Sequence, residues 1–556
     1  MMNKFLVSIL FAVCALQAHA SSFLSPQFLQ KGNGAVARSY ADKAGDFVNV
    51  RDMGAKCDGS TDDTAAIQAA LSSGAGTVHL PSGVCIVSKV TVPSDTTLTG
   101  QGAKSELRRR AGASSGAVVT ATGAARVTIA NLTVNGNAAG ATGVDSNVFI
   151  TGSYDVTIDN VRAVNSLLHG VSIQSSTDKA NHTISAIRNS TIQSTAQYGI
   201  EAQDTGRIVI EGNRIAKSAS HGILVYGTAA NAIQNATIVG NVVVDAGGSG
   251  IAIPFVSRGT ATTPGVEELT VTGNTVESSA MNGYVIQGRR ATVTGNAASR
   301  NGAAIYHQGF VVNVLSVTMT GNTATRNAGV GIDFGDCKRV IASANLVEEN
   351  GIIGIEVNST EDFAITGNML INNNQVSGAG EDAAGIDVHL GTGGYPFVGN
   401  SVNGVIADNI VRSGPSQSYG IRVDGTAGNL RLIGNDAMAS GTVRDFDIAA
   451  PTGQFVQYGN TIATPTLTPA ASVTIPQVGQ FFYMGAGGTI SSIVTDKATY
   501  EIGRVIILKF NGTATIANGA GNIHLSGAGS FHAVSGSLLT LVRVDGANWI
   551  EMGRHL

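Results

Sequence analysis

Apolar and polar residues alternate along most of this chain in short runs, and the runs repeat. GIDFGD from Gly331, GIEVNS from Gly354, GIDVHL from Gly385 and GIRVDG from Gly420 each open on Gly-Ile and then set a charged residue before an apolar one. Side chains that alternate in this way belong to a half-buried strand. The pattern points Ile332, Ile355, Ile386 and Ile421 into a core. It places Asp333, Glu356, Asp387 and Arg422 together on the opposite, exposed face.

Asparagines mark the same period. They recur at Asn213, Asn241, Asn274, Asn296, Asn322, Asn345, Asn368, Asn409 and Asn435. Five of them stand in VTGNTV, VTGNAA, MTGNTA, ITGNML and LIGNDA, where the Gly before Asn suits a left-handed turn. The intervals from Asn274 to Asn368 are 22, 26, 23 and 23 residues. A second asparagine follows five positions later at Asn301, Asn327, Asn350 and Asn373, so that two corner ladders can hydrogen-bond from rung to rung. Nine residues after the first asparagine, many coils carry Gly and an apolar residue, as at Gly222, Gly250, Gly283, Gly331 and Gly354. This period, with short strands and Gly turns, predicts a β-solenoid. The leucine consensus of a leucine-rich repeat is missing.

The two ends of the chain break the pattern. MMNKFLVSILFAVCALQAHA, residues 1–20, has Lys4, an apolar run and an Ala18-His19-Ala20 cleavage site, which predicts a Sec-type signal peptide and a secreted or periplasmic protein. Residues 21–45 read as a polar lead-in and 46–115 as an N-terminal cap with the first coils, including a helix through Leu71 that blocks the open end of the sheet. Residues 116–460 form the predicted parallel β-helix, 461–475 a linker and 476–556 a small C-terminal β domain with Trp549 in its core.

Composition narrows the class. The 556 residues include 71 Gly and only 13% charged residues, fewer than long helices carry, and the net charge of −4 offers no basic field for nucleic acid. No later apolar run is long enough to span a bilayer, so no membrane partner is expected. Once Cys14 leaves with the signal peptide, Cys57, Cys85 and Cys337 remain, enough for one disulfide and one free thiol. Cys57 with Cys85 is the expected pair because both belong to the N-terminal element, although three cysteines leave the pairing open.

NVRDMGAKCDGSTDDTAAIQAAL, followed by LPSGVCIV and TLTGQG, resembles the N-terminal motif of the pectate-lyase superfamily, in its rhamnogalacturonase and epimerase-like group. The resemblance covers roughly residues 47–102. It implies an all-β, right-handed parallel β-helix, to which the residues themselves add an N-terminal helical cap, and usually activity on polysaccharides. It leaves the reaction open among hydrolases, lyases, epimerase-like proteins and phage tailspike depolymerases. The family often has Gly where Cys57 stands and an aromatic where Cys85 stands, and both departures fall in one element. The C-terminal domain resembles small domains of tailspike-like proteins that can help trimers form, so a homotrimer is one expectation and a cap on the far end of the solenoid the other.

Aligned on the strand glycine, the outward residues read Asp145, Ser172, Glu201, Leu224, Ala252, Val285, Asp333, Glu356, Asp387 and Arg422, with His307 taking the coil that begins at Asn296 by spacing alone. The next outward column reads Asn147, Gln174, Gln203, Tyr226, Pro254, Gln287, Gly335, Asn358, His389 and Asp424. Rungs lie about 4.8 Å apart. Carboxylates at that distance repel by about 1 kcal/mol in water and about 3–4 kcal/mol at an effective dielectric of 20. Such a column needs a proton, a metal or a cation, and it separates pKa values for acid and base work. Asp333, Glu356 and Asp387 are therefore the expected catalytic residues, with Arg422, His389, His307, Asn358 and Asp424 on the substrate. Adjacent rungs approach the carboxyl separation of retaining glycosidases, and alternate rungs the inverting range.

The same residues suit β-elimination on a uronic acid polymer, with Ca2+ held by the three carboxylates and His389 or Arg422 taking the C5 proton. Asp387-Val388-His389 is similar to the Asp-Pro-His element of alginate epimerases, without its proline. The polygalacturonase motifs are absent. Hydrolysis of a polysaccharide is the leading expectation, lyase or C5-epimerase activity the alternative, and a non-catalytic glycan-binding or adhesin β-helix the rival. Glu201 with Gln203 and Asp204 forms a second polar spot, His169 and His221 read as corner residues, and Arg108-Arg109-Arg110 as solvent-facing. The 31-residue step from Glu356 to Asp387 is the soft point, because a slip of one residue turns Asp387 inward.

Overall fold

The computed structural model describes residues 27–556 except 114–115, 176–182, 229–230, 256–264, 305, 377–382, 390–400, 425–426, 450–451 and 497–501. The signal peptide and residues 21–26 of the lead-in lie outside the described residues. From Val48 to Tyr458 the chain winds as a right-handed parallel β-solenoid, each strand pairing in parallel with its counterpart one coil on. The outward face that matters for function is built by β1 (Val148–Thr151), β2 (Val171–Gln174), β3 (Ile200–Gln203), β4 (Ile223–Tyr226), β5 (Ile251–Ile253) and β6 (Tyr284–Thr294). It continues through β7 (Phe310–Thr320), β8 (Ile332–Gly335), β9 (Ile355–Asn358), β10 (Ala384–His389), β11 (Tyr419–Val423) and β12 (Arg444–Ile448). One buried core runs the length of the solenoid, with Ile332, Ile355, Ile386 and Ile421 stacked in it.

The asparagine ladders hold the corners. In the first, Asn322 donates through Nδ2 to Asn345 Oδ1 at 3.0 Å and to Val293 O at 2.9 Å, and each neighbour repeats the arrangement. The ladder runs from Asn213 through to Asn460, one rung beyond the expected end. The second links Asn301, Asn327, Asn350 and Asn373 in the same way. All these side chains are buried, so the bonds satisfy amides that would otherwise be stranded. The residue before each ladder asparagine turns left-handed. In the first ladder it is Gly in most coils, for example Gly321 at φ 65°, but Ala344 at φ 54° before Asn345 and Asp408 at φ 55° before Asn409.

The Gly-Ile motif has a steric cause. A Cβ on Gly331 would meet Val347 Cγ1 at 2.4 Å and Gly354 O at 2.7 Å, so only glycine lets the coil enter its strand there. Gly309 is equally tight, with Gly331 O 2.6 Å from its would-be Cβ. That makes Gly309 the strand glycine of its coil.

At the N-terminal end, helix α1 (Thr64–Leu71) buries Ile67, Ala70 and Leu71. Cys57 and Cys85 are joined as a disulfide, and Cys337 is a buried free thiol. After Tyr458, parallel coils give way to smaller sheets with antiparallel pairs, including Val505–Phe510 against Leu538–Arg543 and the latter against Trp549–His555. Trp549 is buried there. Residues 461–475 contribute Thr466–Leu467 and Ser472–Ile475, each paired into one of these sheets. The Gln477 side chain covers the last rung like a piece of backbone: its Oε1 accepts from Ile448 N at 2.7 Å and its Nε2 donates to Ile448 O at 2.6 Å. No helix among the described residues is long and apolar enough to cross a membrane.

Candidate active site

Strand register decides which side chains share a rung-to-rung column. Asp333 on β8 pairs with Glu356 on β9, Glu356 with Asp387 on β10, and Asp387 with Arg422 on β11. The long insertion before β10 therefore leaves the register intact, and Asp387 stays in the column. The next rung adds Asp447 on β12, which the repeat pattern did not reveal because the coil carries no Gly-Ile signal.

Two members of the expected column are corrected. Val311 on β7, not His307, pairs with Asp333 and with Val285. The corner before Gly309 is four residues longer than in the neighbouring coils, so counting from Asn296 lands short of the strand. His307 sits in that corner, its N–H donating to Ala304 O at 3.0 Å, its carbonyl accepting from Gly329 N at 2.9 Å, and its Nδ1 buried without a hydrogen-bond partner. At the other end, Phe149 and Thr151 take the positions assigned to Asp145 and Asn147. Asn147 is instead a buried corner residue donating to Val134 O and Val164 O. Asp145 pairs with Arg109 at 2.9 Å, and Arg109 is only 1% exposed, which overturns its assignment to solvent. Strand alternation in SELRR turns Arg109 inward while Arg108 stays out. Arg300 and Arg326 pair with Glu277 and Glu349 at exposed corners.

Each carboxylate of the site has its own partner. Asn358 Nδ2 donates to Asp333 Oδ1 at 2.9 Å. His389 Nε2 lies 2.8 Å from Glu356 Oε1, and because a carboxylate only accepts, that nitrogen carries the proton. Asp387, fully buried, receives Arg422 Nη1 at 3.2 Å and has His389 Nε2 at 3.9 Å. Asp424 follows β11 one rung beyond His389, its N–H donating to Val388 O. Glu356, His389 and Arg422 remain partly accessible, at 17, 22 and 18% of their side chains.

Burial, and then the neighbouring Glu356 carboxylate, push the Asp333 carboxyl well above its usual range, against the pull of His389 and the Asn358 hydrogen bond. Asp336, just past β8, was missed by sequence reading. Burial raises it to about 6, and its Oδ1 is buried without a partner. Burial also pushes the Cys337 thiol up to about 12.

The three carboxylates that elimination would use to hold Ca2+ do not bring their oxygens together into one group. Among the described residues, the one group of three potential ligands whose donor atoms lie close together is Cys57, Asp63 and Cys85, whose sulfurs are bonded to each other. Glu356 turns to His389 and Asp387 to Arg422, so each of these carboxylates has its own side-chain partner.

A second cluster lies on the same face. Glu201 on β3, 3% exposed, accepts from Ser172 Oγ at 2.7 Å, Gln174 Nε2 at 2.8 Å and Tyr226 Oη at 3.3 Å, with His169 Nε2 at 3.4 Å. His169, Tyr198 and His221 stack ring on ring, with centroids 4.8 and 5.6 Å apart. His169 and His221, expected as plain corner residues, are thus part of this cluster.

Residues 47–255 match the family described as rhamnogalacturonase A/epimerase, pectate lyase-like, and residues 256–402 match the right-handed beta helix region. With the solenoid, these matches place the chain in the pectate-lyase superfamily of right-handed parallel β-helix proteins. The relatives are more particular. A pre-neck appendage protein of Bacillus phage B103 is 32% identical over 152 residues, 23% of this chain and 16% of that protein. The mannuronan C5-epimerase AlgE3 of Azotobacter vinelandii is 54% identical over 55 residues, 9% of this chain and 3% of that protein. This chain thus spans less than a fifth of the length of these curated relatives. Among solved structures, the A-module of the Azotobacter vinelandii mannuronan C-5 epimerase AlgE4 aligns over 75% of this chain and all of its own, at 21% identity and a TM-score of 0.41.

Proposed function

We propose that this protein is a polysaccharide-cleaving enzyme that hydrolyses glycosidic bonds with Asp333 as general acid and Glu356 as nucleophile. One observation carries the reading: Asp333 and Glu356 are in register on adjacent rungs, and burial with the Glu356 charge holds the proton on Asp333. Two carboxyls with separated tasks are what glycoside hydrolysis requires. Rung spacing of about 4.8 Å matches the separation of retaining enzymes, of about 5 Å, rather than the wider inverting gap. Asp387 drops out as an attacking group because it is fully buried against Arg422. Its role is to hold Arg422 beside the substrate.

In this mechanism Asp333 protonates the leaving oxygen while Glu356 attacks the anomeric carbon, forming a glycosyl ester. Asp333 then draws a proton from water, which releases the sugar with its configuration retained. His389 donates to Glu356 Oε1 and fixes the orientation of the carboxylate. The rate falls as rising pH strips the proton from Asp333.

The test incubates the purified protein with bacterial and plant polysaccharides, with and without EDTA. Reducing ends without unsaturated-uronate absorbance, insensitive to EDTA and with retained anomeric configuration by NMR, are the expected result. Full activity in Glu356→Gln removes the pair from the mechanism. A second reading, elimination or C5-epimerisation of a uronate polymer, is favoured by the short match to AlgE3 and by His389 standing beside Asp387 and Arg422. It predicts unsaturated products, or none with a changed polymer. Export directed by residues 1–20 and a trimeric assembly complete the proposal. N-terminal sequencing of exported protein and light scattering check them.

A further inference from the structure

We infer that the Glu201 cluster is a second carbohydrate-binding site, selective for neutral sugar units and working at a distance from the cleavage point. It rests on the reading of the outward face as a glycan groove, but binding alone tests it.

The cluster is built to orient donors. Glu201 Oε2 takes Ser172 and Gln174, and Oε1 takes the Tyr226 hydroxyl, so the carboxylate is committed and nearly closed to solvent. That removes it from proton transfer to a ligand and makes it an anchor. The histidines around it have fixed tautomers. Tyr198 N–H reaches His169 Nδ1 at 3.4 Å, and Ser249 N–H reaches His221 Nδ1 at 3.0 Å, which leaves the proton on each Nε2. Burial lowers the pKa of both rings, so they stay neutral, with Glu201 opposing the effect at His169. Tyr198, Tyr226 and Gln203 are half-buried beside them, polar tips on an aromatic wall. Neutral donors and acceptors on a rigid frame suit the hydroxyls of a sugar ring.

Charge sets the selectivity. Among the described residues no arginine or lysine forms an ion pair with Glu201 or with Asp204, whose Oδ1 accepts from Thr228 N and whose Oδ2 accepts from Gln203 Nε2. A uronate carboxylate entering here faces two acidic groups that no arginine or lysine among the described residues is paired with.

Position links the two sites. Five rung steps separate Glu201 from Asp333, about 24 Å at 4.8 Å each, room for an extended chain of about five hexose units. Leu224, Ala252, Val285 and Val311 stand between them in the same column, Leu224 and Ala252 nearly closed to solvent and Val285 and Val311 half-buried.

Native gels containing dextran, laminarin or galactomannan, with polygalacturonate as the acidic probe, test this by affinity retardation of the intact protein. Wild type and Glu356→Gln are expected to be retarded by at least one neutral polymer. The double variant Tyr226→Phe/Gln203→Ala is expected to lose that retardation at least five-fold while keeping its thermal transition. Should the pair misfold, Gln203→Ala alone is the readout, expected at two-fold or more. The inference is overturned if no neutral polymer retards the wild type, if the folded variant binds unchanged, or if these substitutions weaken only polygalacturonate binding.

Discussion

Glu201 and Asp333 occupy the same position on their rungs, five coils apart, yet their surroundings treat a carboxylate in opposite ways. Around Glu201 a serine, a glutamine, a tyrosine and a histidine all offer hydrogens. Around Asp333 the next rung offers another carboxylate, and one asparagine donates. Glu201 is nearly closed to solvent and Asp333 half-buried. At Glu201 the partners are hydrogen-bond donors, whereas at Asp333 burial and the neighbouring Glu356 carboxylate raise the pKa. A repeat fold makes the contrast legible, since the backbone beneath the two residues is nearly the same.

The largest effect expected is on catalysis at Asp333. Asp333→Asn should cut kcat by about a thousandfold, within the range of a lost general acid. The same variant should be as stable as the wild type or more so by about 1 kcal/mol, because it removes a carboxyl crowded by Glu356 and keeps the oxygen that receives Asn358. Turnover and urea denaturation of one preparation read both. At Glu201 the equivalent amide should do the reverse to stability. Glu201→Gln sets an NH2 against donors and should cost about 2 kcal/mol in urea. Equal signs at the two sites would break the comparison.

A smaller effect concerns pH. Asp336 titrates near 6 in the fold against an unfolded value of 3.8. The folded state thus holds the proton more tightly, so its contribution is fully present below about pH 4 and is lost as pH rises to about 6. Asp336→Asn should flatten that decline and gain about 1 kcal/mol at pH 7, after allowance for solvent screening. Thermal melts at pH 4 and 7 check it. The smallest concerns the scaffold under both sites. Ala344 adopts φ 54° where most coils place Gly, and Ala344→Gly should stabilise by up to about 1 kcal/mol in the same assay.

Much of the frame could be read directly from the chain. The Gly-Asn corners, the second asparagine five residues on and the Gly-Ile strand starts fixed period and ladder, because each is a local requirement: a left-handed turn, a buried amide or a missing Cβ. The column from Asp333 to Arg422 followed from the same signals. Where the signal lapsed, the count failed. His307 was placed by spacing alone and Asp145 by a glycine, Gly143, that does not open its strand, and the strands there present Val311 and Phe149.

The sequence by itself determined the β-helix, its handedness through the family motif, and the register of the four charged rungs. Tertiary structure alone decided that Asp387 is sealed against Arg422, that Arg109 is buried on Asp145, and that His169, Tyr198 and Tyr226 meet around Glu201. The reason is physical. Alternation along a strand is written locally, whereas the partner of a side chain on the next rung depends on how many residues the intervening corner consumes. Corner length varies without disturbing the backbone hydrogen bonds that hold the rungs in line.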